Sequence, residues 1–513
     1  MALAPLTAGH AFALSSAVPI AAISGGAITA STLRIGSATT GDISIAGAFG
    51  LSQVGTLDLR SAGAVLEGVG DSLVVNTLTG GANSASLLGT NNRIGTLGGF
   101  ATNAGFTLVD AQGLAVTGPV SDAVSVSITA PNLTVAGSIT APTVSLAAAG
   151  SSVGGGALTQ TGGVIGASTQ LSLSAAGGIQ QTSGSMAAGL LTGSSSGVVG
   201  LDSAGNAIAT LGTFAAGRGF RLSDGQALTV AGPVTDPVSI GLKVAGALTL
   251  AGSVTAPLVD LAATGAITQT AGSLTATLLT GSGASAALGS ADNAVTTLGN
   301  FTTAGDFALA DGQALTVGGT VSVGGGATLS LASKQISLGA ASQLLAPGGT
   351  VAFAPLTPGT ALTLGSFVPS GGSIVANNLR VGSATTGDIG ISGMFDLSAV
   401  NTLELRSAGN IIEAADAVIR VGTLTGQANS AQLLGLNQID VLGGFAVAGS
   451  ALGANAPSAL TLVNGRALAV AGPVSAAAGN VVLDTRSSAS ADVTIAAAGG
   501  RWREISACWR GGA

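Results

Sequence analysis

Apolar residues in this chain alternate with small polar ones over runs of about three to five positions, as in Val144-Ser145-Leu146 and Leu248-Thr249-Leu250. Such period-2 alternation points one side chain inward and the next outward, the signature of a half-buried strand. Gly, Pro, Asn or Asp punctuates every run, and these are turn residues. No stretch sustains apolar residues at i, i+3, i+4 and i+7 between caps, so helix is disfavoured.

The short runs recur. Leu114-Ala115-Val116 returns as Leu133-Thr134-Val135, and Ala227-Leu228-Thr229-Val230-Ala231-Gly232 returns as Ala247-Leu248-Thr249-Leu250-Ala251-Gly252. A unit close to 20 residues, made of short strands and frequent turns, describes one coil of a parallel β-helix. One coil cannot bury its apolar face alone, but a stack can. Leucine-rich repeats share this period but need a Leu-x-x-Leu-x-Leu-x-x-Asn pattern and a helical half, and neither is present. The predicted fold is therefore all-β: a single elongated β-solenoid with about 20–22 residues per rung, on the order of 23 rungs, rising to about 110 Å. A chain of 513 residues is too long for one compact core, which stops growing near 250–300 residues.

Longer repeats overlie the short one. Ser37-Ala38-Thr39-Thr40-Gly41-Asp42-Ile43 returns as Ser383-Ala384-Thr385-Thr386-Gly387-Asp388-Ile389, and Leu59-Arg60-Ser61-Ala62-Gly63 as Leu405-Arg406-Ser407-Ala408-Gly409. Pro5-Leu6-Thr7-Ala8-Gly9 is echoed by Pro355-Leu356-Thr357-Pro358-Gly359, and Val18-Pro19 by Val368-Pro369. The apolar stretch Ala11 to Ile23 thus belongs to a repeat and lacks the basic flank of a signal peptide. A second module opens with Leu-Thr-Gly at Leu78, Leu191, Leu279 and Leu424 and runs to Leu-Gly-x-Phe at Phe100, Phe214, Phe301 and Phe445. It closes on Gly-Pro-Val at Val120, Val234 and Val474, with Gly319-Thr320-Val321 in the third copy. These repeats divide a continuous solenoid over 1–500 into modules at about 1–120, 121–234, 235–350 and 351–500. Residues 501–513 depart abruptly from the repeats and hold both Trp and the sole cysteine, Cys508. They read either as a short cap over the last rung or as a frameshift tail.

Composition narrows the picture. Charged residues make up 7% of the chain, against about 25% in an average soluble protein. Fifteen scattered Lys and Arg with a net charge of -7 argue against nucleic acid, which needs clustered cations. With 47% hydrophobic residues in regular recurrence, the 83 Gly do not imply disorder. No apolar run reaches the ~18 residues of a transmembrane helix. Twelve Phe, two Trp and no Tyr suit a narrow aliphatic core. One cysteine cannot make an intrachain disulfide, so stability comes from stacking.

Candidate chemistry is sparse. His10, the only histidine, corresponds to Thr360 or a neighbour in the second copy and reads as a surface residue. Asp110-Ala111, Asp224-Gly225, Asp311-Gly312 and Asn464-Gly465 share one repeat position. An aligned Asp column suggests calcium or a sugar, but Asn464 discards the charge and keeps the turn, so a turn with positive φ at Gly is expected. The Gly-Gly-x-Gly-x-Asp pattern of calcium-binding solenoids is missing after Gly154-Gly155-Gly156 and Gly324-Gly325-Gly326. The closest carboxylate pairs, Glu413 with Asp416 and Asp306 with Asp311, read as solvated turn charges rather than the paired acids of a glycosidase. Gly281-Ser282-Gly283 carries no nucleotide signal in so glycine-rich a chain. Asn76, Asn83, Asn92, Asn429 and Asn437 are candidates for amide ladders between rungs. No catalytic, cofactor-binding or metal-ligating residue is nominated, and no cofactor is implied.

In the character of its repeats, with blocks such as Ala266-Ile267-Thr268-Gln269-Thr270-Ala271-Gly272-Ser273-Leu274 and Gly312-Gln313-Ala314-Leu315-Thr316-Val317, the chain resembles the repeat region of filamentous haemagglutinin-like exoproteins of Gram-negative bacteria. The resemblance covers most of residues 1–500. It implies a right-handed β-helix, two-partner secretion through an outer-membrane partner transporter, and a non-enzymatic, adhesive role at the cell surface or in biofilm. The implied contacts are host or bacterial surface glycans or proteins, and the implied location is secreted or cell-surface. The family's Asn-Pro-Asn-Leu secretion motif is matched here only by Ala130-Pro131-Asn132-Leu133, within an ordinary repeat. The expectation is therefore a fragment of a larger exoprotein. Two other readings share the fold: a polysaccharide-active β-helix lyase or hydrolase, and an autotransporter passenger without its barrel.

Overall fold

The computed structural model describes residues 1–15, 28–150, 155–364, 373–449, 459–485 and 493–495. The Val-Pro pairs at 18–19 and 368–369 and the tail 501–513 lie outside them. Among the described residues there is no helix. The chain is all-β, with parallel strands stacked coil on coil as a solenoid of about 21 residues per turn. It divides into two compact units, Met1–Gly265 and Ala266–Ala513.

In the first unit the alternation read from the sequence becomes vertical columns. Leu33, Leu57, Leu78, Leu97, Val116 and Val135 pair one above another in successive coils, and all are buried. A second column runs through Phe106, Val126, Val144, Leu171, Leu191, Leu211, Val230 and Leu250. Like sits on like because a parallel register keeps each inward position over its counterpart, about 4.8 Å away. Each buried Leu or Val contributes roughly 1.5–3 kcal/mol by leaving water. The second unit has the same logic: Phe307, Leu329, Val351, Leu379, Leu403, Leu424, Leu442 and Val470 form one continuous column.

The period itself is elastic. Val126 pairs with Val144, 18 residues on, whereas Gln343 pairs with Ser373, 30 residues on. The difference is absorbed between strands, so the inward register survives.

The long repeat is reproduced as geometry. Asp58 bridges Arg34 and Arg60, each at 2.7 Å, and Glu404 stands between Arg380 at 2.7 Å and Arg406 at 3.6 Å. Gly9 and Gly359 adopt φ of 79° and 78°, and their N–H groups donate to Thr39 and Thr385 at 2.7 Å.

The second module has a steric cause. Gly80, Gly193 and Gly426 sit under the ring of Phe100, Phe214 and Phe445 in the next coil. A Cβ at Gly80 would approach the Phe100 ring to 2.5 Å, at Gly193 the Phe214 ring to 2.7 Å, and at Gly426 the Phe445 ring to 2.5 Å. The glycine of Leu-Thr-Gly is thus a notch for the phenylalanine of Leu-Gly-x-Phe. Each ring of the first three modules packs further on a second Phe: Phe100 on Phe106 at 5.1 Å, Phe214 on Phe220 at 5.0 Å and Phe301 on Phe307 at 4.8 Å, all tilted, a favoured aromatic geometry. The closing Gly-Pro supplies an acceptor: Pro119, Pro233 and Pro473 each take the N–H of that module's Phe at 3.0 Å.

Gly193→Ala is expected to destabilise the protein by about 1–3 kcal/mol through overpacking, since the added Cβ meets both the Leu173 carbonyl oxygen of the previous coil and the Phe214 ring of the next. Adding Phe214→Leu to that variant should recover part of the loss. Urea unfolding of the two single variants and the double variant checks the coupling, and strictly additive losses would refute the notch.

Candidate functional site

A recurring cluster of buried polar groups lies inside the coils, at one turn of each module. In the first module, the Asn92 amide nitrogen donates to Glu67 Oε2 at 2.7 Å and to the Val109 carbonyl at 3.1 Å, and its oxygen accepts the Leu73 N–H at 2.6 Å. One coil on, Asp110 accepts the Ile94 N–H at 2.8 Å. The arrangement recurs at Gln181, Asn206 and Asp224: the two amides exchange hydrogen bonds of 2.8 and 2.9 Å, and Asn206 Oδ1 accepts the Met186 N–H. It recurs again at Gln269, Asn293 and Asp311, and at Glu413, Asn437 and Asn464. Each Asn reaches the coils before and after it, and each satisfies backbone groups at a turn where the strand ladder has broken.

These groups are buried. Glu67, Asn92, Asp110, Asn206, Asp224, Asn293, Asp311, Glu413, Asn437 and Asn464 are all shielded from solvent. Burial pushes the carboxyls of Glu67 and Glu413 above the ordinary carboxylate range, against the opposing hydrogen bonds from Asn92 and Asn437. Burial likewise pushes Asp110 and Asp224 up to about 6. Asp122 ends on the other side. Burial opposes its charge too, but the N–H groups of Val124, Ser125 and Gly105, at 2.6, 2.6 and 2.9 Å, help hold it below the usual value.

The structure corrects three expectations. Gly225, Gly312 and Gly465 do not adopt positive φ. The turn is made by the preceding Asp or Asn side chain, which points inward and caps a strand of the previous coil. Glu413 and Asp311 are not solvated turn charges: they are buried, while their proposed partners Asp416 and Asp306 are exposed, so neither pair shares an environment. The five Asn do not form one ladder. Asn92 and Asn437 are interior, Asn76 and Asn83 are exposed, and Asn429 donates to Asn410 at 3.1 Å. Amides also pair between coils at other positions: Asn401 donates to Asn377 at 2.7 Å, and in the interior Gln181 donates to Gln160 at 3.0 Å, where the aliphatic column above Val135 gives way to Gln160 and Gln181. Gln160, Gln181, Asn206, Gln269 and Asn293 are not among the candidates that sequence reasoning reaches. The signal that finds the Asn positions is the recurring Asn-x-Ile/Val at Asn92, Asn206, Asn293 and Asn437.

Outside the core, His10 is exposed and shares its backbone bonds with Thr360: Gly41 donates to the His10 carbonyl and Gly387 to the Thr360 carbonyl, each at 2.9 Å. Gly281-Ser282-Gly283 lies within the strand Leu274–Gly283 rather than in a phosphate-cradling loop. The first unit carries an open concavity of about 490 Å³ across five successive coils, lined by Asp122, Pro142, Ala167, Ser168, Ala188 and Ala207. The Asp122 oxygens are already occupied by the three N–H groups above, which leaves little but hydroxyls to offer a ligand. Among the described residues, no group of three or more His, Cys, Asp or Glu is placed to hold a metal, and no helix is long and apolar enough to cross a membrane. No family model, curated protein or solved structure matches the chain.

Asn206→Ala strips partners from Gln181, the Met186 N–H and the Ser223 carbonyl at once. We expect a loss of about 3 kcal/mol. Asp202→Ala, which breaks only the exposed pair with Arg221 at 3.0 Å, should cost about 0–1 kcal/mol. Chemical denaturation of the two variants side by side tests the difference.

Proposed function

We propose that this chain is a structural, adhesive repeat of a secreted or cell-surface exoprotein, which makes contact with host or bacterial surface glycans or proteins through many weak, regularly spaced groups. The carrying observation is the register of the outward positions. Thr32, Thr56, Thr77 and Thr96 pair in successive coils, as do Thr210, Thr229 and Thr249 and, in the second unit, Thr402 and Thr423. Each hydroxyl is a donor and an acceptor, and a column of them offers the same weak hydrogen bond repeatedly. Binding by such a surface gains from multiplicity rather than from any single contact. The resemblance of the repeats to those of haemagglutinin-like exoproteins supports the same reading and, with it, export of the full-length protein by an outer-membrane partner.

Beads coated densely with the purified chain should be retained on bacterial or epithelial cell layers well above albumin-coated beads. Thr56→Val, Thr77→Val and Thr96→Val together should lower that retention while leaving the unfolding midpoint within a few degrees of wild type. Retention no better than albumin sinks the proposal. Release of reducing ends or unsaturated products from acidic or neutral polysaccharides would replace it with the enzymatic reading.

A further inference from the structure

The module position that holds Asp110, Asp224, Asp311 and Asn464 carries more than a turn. In each case one side-chain oxygen accepts the N–H of a residue one coil earlier: Ile94 at 2.8 Å, Ile208 at 3.0 Å, Val295 at 2.9 Å and Ile439 at 2.9 Å. Asn464 also uses its other atom. Its amide nitrogen donates to the Ile439 carbonyl at 2.9 Å and to the Arg466 carbonyl at 2.9 Å. The side-chain amide thus meets both the N–H and the C=O of Ile439, as a neighbouring peptide group in a sheet would.

An ionised carboxylate cannot copy this, because both its oxygens only accept. At Asp224 and Asp311 the atom equivalent to the Asn464 amide nitrogen is Oδ2, and in both residues Oδ2 is buried without a hydrogen-bond partner. Asp224 is 3% exposed and Asp311 0%. A buried orphan oxygen is costly, and a proton on it converts it from an acceptor to a donor. Asp110 differs, since its second oxygen accepts the Gln112 N–H at 2.9 Å.

We propose that Asp224 and Asp311 fold as neutral carboxylic acids, each hydroxyl donating to the carbonyl of the residue whose N–H its other oxygen accepts, Ile208 and Val295. Each unit then holds a clamp between successive coils that closes on taking a proton from solvent and is weakened on losing it.

No buried cation faces either carboxyl, and the one charge that favours ionisation, Lys334 near Asp311, is exposed. Around Asp224, the strand Ala207–Ala215 has no charged residue, Lys243 on Ser239–Val244 is exposed, and Arg221 is paired with Asp202 at the surface. Around Asp311, Ala294–Thr303 has no charged residue, and Lys334, Asp292 and Asp306 are exposed. Burial raises both carboxyls, Asp224 to about 6 against the N–H groups of Ile208, Gly225 and Gln226, and Asp311 against those of Val295 and Gln313 and the charge of Lys334. For an acid whose folded value is raised, the folded state binds more protons than the unfolded one between the two values, so the stabilisation is complete below the unfolded value and lost as pH rises through the folded one. The window for Asp224 runs from its ordinary 3.8 to about 6.

Unfolding midpoints of the full chain, measured from pH 4 to pH 8, should be highest at the acid end and fall as pH rises. In Asp224→Asn with Asp311→Asn, which place the Asn464 group at both sites, the fall should be shallower and the midpoint at pH 8 should lie above wild type. The infrared carbonyl band of protonated carboxyl groups should be present in the folded wild type at pH 5 and reduced in the double variant. A double variant that is no more stable at pH 8 and keeps the wild-type slope overturns the proposal. So does an infrared spectrum at pH 5 that the two substitutions leave unchanged.

Discussion

A parallel coil must place each inward side chain on its own counterpart one turn away, and this constraint governs everything else in both units. It explains why the core is aliphatic and narrow. A Leu or Val stacks on a similar neighbour without leaving a void, whereas a large side chain needs a matching space in the adjacent coil. The phenylalanine of Leu-Gly-x-Phe is admitted where the coil before it has glycine, as at Gly80 beneath Phe100 and Gly193 beneath Phe214, whereas Phe220 rests on Val199 and Phe353 on Leu331. The same constraint tolerates wide variation in coil length, since extra residues between strands leave the register untouched.

Turns are the weak point of such a stack, because the strand ladder stops there and leaves backbone groups to be paired. Buried amides and carboxyls fill that role at equivalent places in the module. Asn is suited to it, with a donor and an acceptor on one rigid group, and Asn92, Asn206, Asn293 and Asn437 each connect three successive coils. The carboxyls beside them are less well matched, and Glu67, Asp224, Asp311 and Glu413 each keep an oxygen without a partner. The interior therefore has polar seams whose strength depends on protonation, set in an otherwise inert aliphatic column.

Much of the fold was legible in the sequence because its signals are local and repeated. Leu248-Thr249-Leu250 announces a strand by alternation alone, and the spacing of Leu114 from Leu133 is the spacing of paired coils. The Phe modules were visible as strings, but their cause was not, since the notch under Phe100 belongs to a glycine in a different coil. The interior polar column was harder to see. Asp and Asn before Gly resemble ordinary surface turns, and nothing in a linear string tells an inward Asp224 from an outward Asp202. Gln160 and Gln181 occupy positions that alternation assigns inward, yet their polarity hides them among the outward residues of neighbouring strands.

The pairing of a glycine notch with a phenylalanine ring one coil later gives the module a plug on one side and a socket on the other. Duplication of a whole number of coils brings a new plug to an existing socket, so the copy fits without further change. A duplication that ended between the two would set a ring against a branched side chain. The fit of ring to notch thus sets which joins between modules the stack accepts without further change.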